Sequence, residues 1–417
     1  MSESTAINVP PAISPTGRRG VSAATEREAG TPQLVLLLAG SIMAVLGAVL
    51  IAPVLPQMTR EFASTPGVNV LVPIVLTAPA LMIGLTAPFA GLIVDAIDRK
   101  RLLLLAMVAY SVFGTMPLYL TSLGSIVGSR VLVGLCEAAI MTCCTTLIGD
   151  YWSGTKRSKY LGLQTLVAAL AATVFLVVGG VLGASGWRNP FWLYLVAAVI
   201  AIPMAKYLWQ PARPVGRAAG RRLEPMPWRI MLKPCLVTIF GGIVFYALIV
   251  QLAFVLTDAG ITSTAVIGGI AAAMSLATAA GAVAFGRLSR FSPHTLLPVE
   301  FGLTALGLLV VFATDSVPVI AAGAVLTGFG TGMVLPTLLT WAVNNLTFSQ
   351  RGRGTGLFTG TLFIGQFISP LILAGLTVAV GGLQPALGVL GVASAAVALL
   401  TFLILRGQHQ PLNVTRD

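Results

Sequence analysis

Charged residues are scarce in this chain. Of its 417 residues, 9% are Asp, Glu, Lys or Arg and 56% are hydrophobic, and the mean hydropathy is +0.93. A water-soluble domain carries about 25% charged residues, so the composition excludes a soluble globular protein. The length instead suits a membrane protein with about a dozen spans of about 20 residues each, plus loops.

Residues for metal binding and covalent catalysis are equally few. The chain has two histidines and four cysteines, and no two cysteines have the C-x-x-C spacing of a metal or redox site. We interpret the cysteines as small apolar core residues. The sequence therefore predicts no metal site, no cofactor and no enzyme activity.

Acidic residues are half as common as basic ones, with 13 against 25, which gives a formal net charge of +12. A basic soluble protein would suggest nucleic acid as a partner. Here the basic residues gather in short segments between apolar runs, with seven of them and one acid between Lys206 and Lys233. We therefore expect no nucleic acid partner, and a lipid bilayer around the chain.

Twelve apolar runs bounded by charged or turn residues predict twelve membrane-spanning helices. The predicted ranges are 33–56, 67–94, 101–121, 124–148, 160–185, 189–209, 231–257, 262–288, 293–313, 317–344, 352–379 and 384–405. An even number of spans puts both termini on one side, and most loop Lys and Arg then fall on that side. This is the positive-inside pattern of a cytoplasmic face, so both termini are expected to be cytoplasmic.

The long basic segment divides the chain into two sets of six helices, so the predicted fold class is an all-α membrane protein with two pseudo-symmetric six-helix bundles. The bundles are expected at 32–209 and 231–406, with a basic cytoplasmic linker at 210–230. Polar tails at 1–31 and 407–417 are expected to be cytoplasmic, the first of them disordered. Two halves with a cavity between them are typical of secondary transporters.

The loop after the second predicted helix reads "GLIVDAIDRK". It resembles the signature G-x-x-x-D-R-x-G-R-[RK] of the major facilitator superfamily, with matches at Gly91, Asp95, Arg99 and Lys100. Ala96 and Asp98 depart from the signature. Together with Asp150 at the end of the fourth helix, these four residues are predicted to gate the cytoplasmic side through charge pairs.

The fourth predicted helix contains "SRVLVGLCEAAI", which carries two charges inside an apolar run. Each costs about 2.5–3.5 kcal/mol to insert, so intramembrane charges indicate function by default. Arg130 and Gly134 resemble the R-x-x-x-G motif that the superfamily links to proton coupling. Adding Glu137 makes the helix similar to that of organic-anion symporters and spinster-type lipid transporters, although no charge lies between Gln33 and Gln57, where those groups carry charges.

The fifth predicted helix, "ATVFLVVGGVLG", partly matches the drug–proton antiporter signature G-x-x-x-G-P-x-x-G-G. Gly179 and Gly180 fit its end, whereas Phe175 and Leu176 stand at its Gly-Pro positions. The resemblance therefore implies a transporter but leaves the direction of transport open.

Glu137 is the only acid near the centre of a predicted helix. Arg130 lies two helical turns before it, about 10.5 Å along the axis, on the same face. We predict that Glu137 binds the coupling proton and that Arg130 is its counter-charge; a buried pair that only fixes helix packing is the alternative. Gly134, between them, would leave room for the arginine or for substrate.

Polar and aromatic side chains in other helices are candidates to line a substrate cavity. They are Gln164, Tyr246, Gln251, Phe254, Trp341, Asn345 and Gln366.

The leading hypothesis is a monomeric, proton-coupled antiporter in a bacterial inner membrane that exports small amphipathic organic compounds. One alternative is proton-coupled uptake of an organic anion, with Arg130 as the carboxylate anchor. A lipid-handling transporter is another.

Overall fold

The computed structural model describes residues 28–90, 97–211, 225–344, 346–407 and 411–412. Within these ranges the chain is helical and contains no strand. Twelve helical segments are long and apolar enough to span a membrane, which confirms the predicted fold class. They are α1 (Thr31–Glu61), α2 (Val68–Phe89), α3 (Arg99–Leu118), α4 (Leu123–Tyr151), α5 (Gly154–Gly183), α6 (Asn189–Tyr207), α7 (Trp228–Asp258), α8 (Thr264–Leu288), α9 (Pro293–Phe312), α10 (Val317–Asn344), α11 (Gln350–Val380) and α12 (Leu383–Ile404).

The first helix is interrupted near its end. A regular helix runs over Thr31–Val49, a 3₁₀ turn covers Ala52–Val54, and a second short helix covers Leu55–Glu61. Pro53 and Pro56 lie in this region. Each proline lacks an N–H and clashes with the preceding turn, which explains why the regular helix tightens here into a 3₁₀ turn.

Basic residues that bound the apolar runs lie inside the first turns of helices. Asp98 caps α3, and its side chain accepts a hydrogen bond from the backbone N–H of Arg101 at 2.9 Å. The helix of α5 begins at Gly154, so Lys156 and Arg157 belong to it rather than to a loop. Residues 212–224 of the predicted linker and most residues of both tails lie outside the described ranges.

The helices form two groups of six. In the first half, α4 contacts α1, α2 and α3; in the second half, α10 contacts α7, α8 and α9. The halves meet mainly along two crossings, of α5 with α8 and of α2 with α11. Exchanging α2 with α8 and α5 with α11 converts one crossing into the other, as a pseudo-two-fold axis requires.

Both crossings are built on glycines that let the backbones approach closely. A Cβ on Gly180 of α5 would lie 3.0 Å from the Cα of Gly268 on α8, and a Cβ on Gly360 of α11 would lie 3.0 Å from the carbonyl oxygen of Gly84 on α2. The hydroxyl of Thr264 also donates to the carbonyl oxygen of Gly180 at 2.8 Å. The α2–α11 crossing lies toward the end that carries Arg99 and Asp150, called here the basic end, and the α5–α8 crossing lies toward the opposite end.

Candidate functional site

The carboxyl group of Glu137 is buried in the middle of α4. The residue has no exposed surface, and neither carboxylate oxygen has a hydrogen-bond partner in the described part of the chain. Burying a carboxylate without a donor or a cation is costly, whereas the neutral acid is tolerated much more readily. The site is therefore suited to hold a proton.

Glu137 lies against α1, at a position where α1 has no side chain. A Cβ on Gly47 would collide with the carboxylate of Glu137 and would lie 3.2 Å from the hydroxyl oxygen of Tyr110 on α3. That phenol donates its hydrogen to the carbonyl oxygen of Met43 at 2.6 Å, so it is not available to Glu137. Gly47 thus leaves space for the carboxyl group of Glu137, and the hydroxyl of Tyr110 does not donate a hydrogen bond to it.

A helix of the second half contacts α1 at the residue that follows Gly47. The hydroxyl of Tyr246 on α7 donates to the carbonyl oxygen of Ala48 at 2.6 Å. Ala48 follows Gly47, whose Cα faces Glu137. The acid therefore lies beside a contact between the halves, and a relative movement of the halves would change its surroundings.

Arg130 is also fully buried, but it contacts α3 and α6 rather than Glu137. Its guanidinium donates to the hydroxyl of Tyr194 at 2.8 Å and to the carbonyl oxygens of Phe113 and Gly114 at 3.3 Å each. Its Cζ atom also lies 4.8 Å from the ring centroid of Tyr194 and 5.3 Å from that of Phe191. These partners are neutral, so Arg130 has no carboxylate partner among the described residues.

The structure thus keeps Arg130 and Glu137 on one helix without a contact between them. The space beside Gly134 is taken by the backbone of Pro79 and the side chain of Met82 on α2. The expectation that this glycine makes room for the arginine or for substrate is therefore wrong. The two residues still lie only about 10.5 Å apart along the axis of α4.

At the basic end, the predicted gate residues lie within the first half. Arg99 at the start of α3 forms an ion pair with Asp150 near the end of α4. Lys100 donates through Nζ to the carbonyl oxygen of Ala205 on α6 at 2.8 Å. These contacts join helices of one half to each other. Gly91 and Asp95 lie outside the described residues.

The side chains predicted to line a substrate cavity are dispersed. Gln164 donates to the hydroxyls of Ser41 at 2.7 Å and Thr145 at 3.1 Å, so its amide joins α1, α4 and α5 within the first half. Tyr246 bridges the halves as described above. Gln251, Trp341 and Gln366 are buried, and Phe254 is half-buried. Asn345 lies outside the described residues.

A cavity of about 190 Å³ lies between α2, α4 and α11. None of the predicted cavity residues lines it; instead it is lined by threonines together with Ile83, Met141, three alanines and a glycine. Ala138, which follows Glu137, is one of the lining residues. The cavity is bounded by both halves of the protein.

A second buried acid, Glu300, lies inside the second half. It is 1% exposed, and its Oε1 accepts a hydrogen bond from the hydroxyl of Thr337 on α10 at 2.6 Å. Its Oε2 is buried and has no hydrogen-bond partner in the described ranges. The structure thus encloses Glu300 between α9 and α10. No group of His, Cys, Asp and Glu in the described ranges could hold a metal ion.

Sequence analysis missed Gly47 and Tyr110, which shape the site of Glu137. Both are ordinary residues for membrane helices, and their importance follows from tertiary contacts. The cluster of threonines on α4, Thr142, Thr145 and Thr146, was a visible signal of a polar face on that helix.

Comparison with known families gives a match over nearly the whole described chain. A family profile described as the Major Facilitator Superfamily matches residues 37–273 and 235–416. Among relatives, the quinolone resistance protein NorA of Staphylococcus aureus (strain MRSA252) is 23% identical over 392 residues, which cover 91% of this chain and 97% of the relative.

Solved structures share the architecture. A bacterial homolog of the human lysosomal transporter Spinster, in an inward-facing and occupied conformation, aligns with a TM-score of 0.75 and 16% identity over 91% of this chain and 98% of its own. A D-xylose–proton symporter aligns with a TM-score of 0.74 and 15% identity over 89% and 97%. At these identities the likeness concerns the fold alone.

Proposed function

This chain belongs to the Major Facilitator Superfamily, and we propose that it is a proton-coupled secondary transporter that exports small amphipathic organic compounds by alternating access. The observation that carries the coupling is the carboxyl group of Glu137, which is fully buried, has no hydrogen-bond partner in the described ranges, and lies beside a contact between the halves.

Glu137 holds its proton while the site is enclosed, because an unpaired carboxylate is costly away from water. When the halves separate, Tyr246 leaves Ala48 and water reaches the acid. Hydration then stabilises the carboxylate, and the proton leaves. The positive charge of Arg130, about 10.5 Å along the same helix, favours release because an opposite charge stabilises the carboxylate. Alternating access would thereby bind a proton on one side and release it on the other.

Export is supported by the relative named for quinolone resistance, which aligns with 91% of this chain. The surroundings of Arg130 argue against uptake of an organic anion. Its terminal nitrogens are engaged by Tyr194, Phe113 and Gly114, and the residue has no exposed surface. A substrate carboxylate would have to displace these partners before it could bind the guanidinium.

The same proposal covers the setting of the protein. The chain is a multi-pass integral membrane protein with twelve candidate spans. We place it, as a monomer, in a bacterial inner membrane with both termini and the 210–230 linker in the cytoplasm, because basic residues concentrate at one end of the bundle.

Everted membrane vesicles from cells that express the chain test direction and coupling together. Respiration acidifies the vesicle interior, so an exporter should accumulate a fluorescent lipophilic cation inside, and a protonophore should abolish the accumulation. Vesicles from cells without the chain are the control. Accumulation of the compound only in right-side-out vesicles, or accumulation that resists the protonophore, would contradict the proposal.

A further inference from the structure

The cavity between α2, α4 and α11 is lined largely by threonines. Of its twelve lining residues six are threonines, and none is charged. The threonines come from both halves: α2 and α4 belong to the first and α11 to the second. They are Thr86, Thr142, Thr145, Thr146, Thr355 and Thr359.

Most of these hydroxyls have already used their hydrogen. Thr86, Thr142 and Thr146 each donate to a carbonyl oxygen of their own helix at 2.7 Å, and Thr355 does so at 2.9 Å. A hydroxyl has one hydrogen to donate and two lone pairs that accept. These four oxygens can therefore accept hydrogen bonds from a ligand but cannot donate to it without breaking an existing bond.

Thr359 of α11 differs from them, because its hydroxyl makes no hydrogen bond to the described part of the chain. It is half-buried and lines the same cavity, so it can donate to a ligand oxygen. The hydroxyl of Thr145 accepts a hydrogen bond from the amide nitrogen of Gln164 at 3.1 Å and donates to the oxygen of the same amide at 3.5 Å. Among the described residues, the cavity thus offers several acceptors, and Thr359 is the donor that no intramolecular bond engages.

The cavity is small and partly open, so a larger ligand would extend beyond it. At about 190 Å³ it is smaller than the about 300–1,000 Å³ of a drug-sized pocket. An apolar protein cavity of about 150 Å³ is large enough for benzene. The space therefore fits one ring with a small polar group, which is part of a larger amphipathic molecule or the whole of a small one.

We propose that this cavity binds the hydrogen-bond-donating end of the transported compound, an uncharged ring that carries N–H groups, such as an aryl carboxamide, and that it rejects carboxylates. The N–H groups of the ligand donate hydrogen bonds to the threonine oxygens, and its carbonyl oxygen accepts one from the hydroxyl of Thr359. A carboxylate has no hydrogen to offer and would face four oxygens whose hydrogens are already donated within their own helices, with Thr359 as the donor that no described residue engages. This inference rests on the proposed function, because it names the substrate class of that transporter.

The position of the cavity joins it to the proton site. Ala138 lines the cavity and is the neighbour of Glu137 on α4. A ligand in the cavity would therefore contact the same helical turn that carries the acid. Because α11 closes the cavity from the other half, movement of the halves would open and close the site while it changes the surroundings of Glu137.

Binding to the purified full-length chain in detergent tests the proposal without any proton gradient. A fluorinated benzamide, its N,N-dimethyl derivative and a fluorinated benzoate are titrated and followed by fluorine NMR. We expect the benzamide to bind most tightly. Substituting Thr142→Val or Thr359→Val keeps the shape and removes one hydroxyl, so each should weaken benzamide binding by about fivefold, the effect of one hydrogen bond of ordinary strength.

Thr377→Val is the matched control, because Thr377 lies on α11 outside the cavity and donates to the carbonyl oxygen of Leu373 in the same way at 2.7 Å. It should leave binding unchanged. Partitioning of the ligand into the detergent micelle affects this control and the cavity variants equally. Benzoate binding as tight as benzamide binding, or equal affinities in the cavity variants and the control, would overturn the proposal. If threonine-dependent binding is found but export fails, the proposed function is wrong and the cavity assignment stands.

Discussion

At the scale of single residues, the two buried glutamates differ in what surrounds them. Glu300 accepts a hydrogen bond from Thr337 and is enclosed by helices of one half, whereas Glu137 has no partner in the described ranges and lies where Gly47 of α1 faces it beside the Tyr246–Ala48 contact. Rigid movement of the halves would leave the first environment intact and change the second. We therefore assign coupling to Glu137 and a packing role to Glu300.

Substitution of Gly47 tests this environment. A Cβ there would collide with the carboxylate, so Gly47→Ala should destabilise the protein by about 1–3 kcal/mol through overpacking. We expect a lower thermal unfolding midpoint in detergent and reduced pH-driven transport.

Gly302→Ala on α9 is the control, because a Cβ at Gly302 would have nothing within 4 Å. It should keep or raise the midpoint, since alanine is the better helix former. Shortening the acid in the double variant Gly47→Ala with Glu137→Ala should recover stability relative to Gly47→Ala alone. Equal midpoints for Gly47→Ala and Gly302→Ala would show that the acid does not lie against α1.

The sequence identified Arg130 and Glu137 because charges in apolar runs are conspicuous, and helical spacing placed them on one face. It did not predict their partners. Tyr194, Phe113 and Gly47 come from three other helices, so no pattern within α4 could indicate that the arginine turns to α3 and α6 or that the acid faces α1.

At the scale of helices, the two crossings between the halves lie toward opposite ends of the bundle. The α5–α8 crossing includes a hydrogen bond from the hydroxyl of Thr173 to that of Ser275 at 3.1 Å, in addition to the glycine contacts. Alternating access requires the helices at such crossings to separate in turn.

Cross-linking tests whether α5 and α8 separate. The double variant Thr173→Cys with Ser275→Cys places two sulfurs close enough to form a disulfide, because the native hydroxyl oxygens are 3.1 Å apart. Oxidation should arrest transport in reconstituted vesicles, and a reductant should restore it. Each single substitution, Thr173→Cys or Ser275→Cys alone, is treated with the same oxidant and controls for disulfides that involve the native cysteines. Parental transport by the fully cross-linked chain would show that this crossing stays closed throughout the cycle.

All twelve helices were predicted from hydropathy. The positions of the helix ends were the least accurate part of the prediction. The fifth helix begins at Gly154 rather than at 160, and the first ends at Glu61 rather than at 56. Hydropathy marks where the apolar run begins and ends, whereas each added residue gains one backbone hydrogen bond, so a helix continues into polar residues beyond the run. Basic residues therefore fall within first turns that hydropathy assigns to loops.

At the scale of the whole molecule, the charge asymmetry predicts that the linker lies in the cytoplasm. A cysteine introduced by Ala219→Cys should react with a membrane-impermeant maleimide only after the cells are permeabilised. Ser64→Cys, on the exposed connection between α1 and α2, should react in intact cells. Labelling of the cysteine at position 219 from outside intact cells would reverse the proposed topology.

The arrangement in two six-helix halves was predicted from the number of apolar runs and the basic linker that divides them. The lining of the cavity was not predicted, because its walls combine α2, α4 and α11, and their contacts depend on how the two halves meet. The predicted lining residues were chosen by chemical type alone, and the packing of Gln164 within the first half shows why type is insufficient.

The most direct test of the account is substrate accumulation in reconstituted vesicles after an imposed pH step, with Glu137→Gln and Glu300→Gln compared with the parental chain. The glutamine at position 137 mimics the neutral acid and cannot release a proton. We expect Glu137→Gln to lose pH-driven accumulation but to keep substrate exchange without a gradient, while Glu300→Gln accumulates substrate at the parental level. Parental accumulation by Glu137→Gln would contradict the assignment of the coupling proton to this residue.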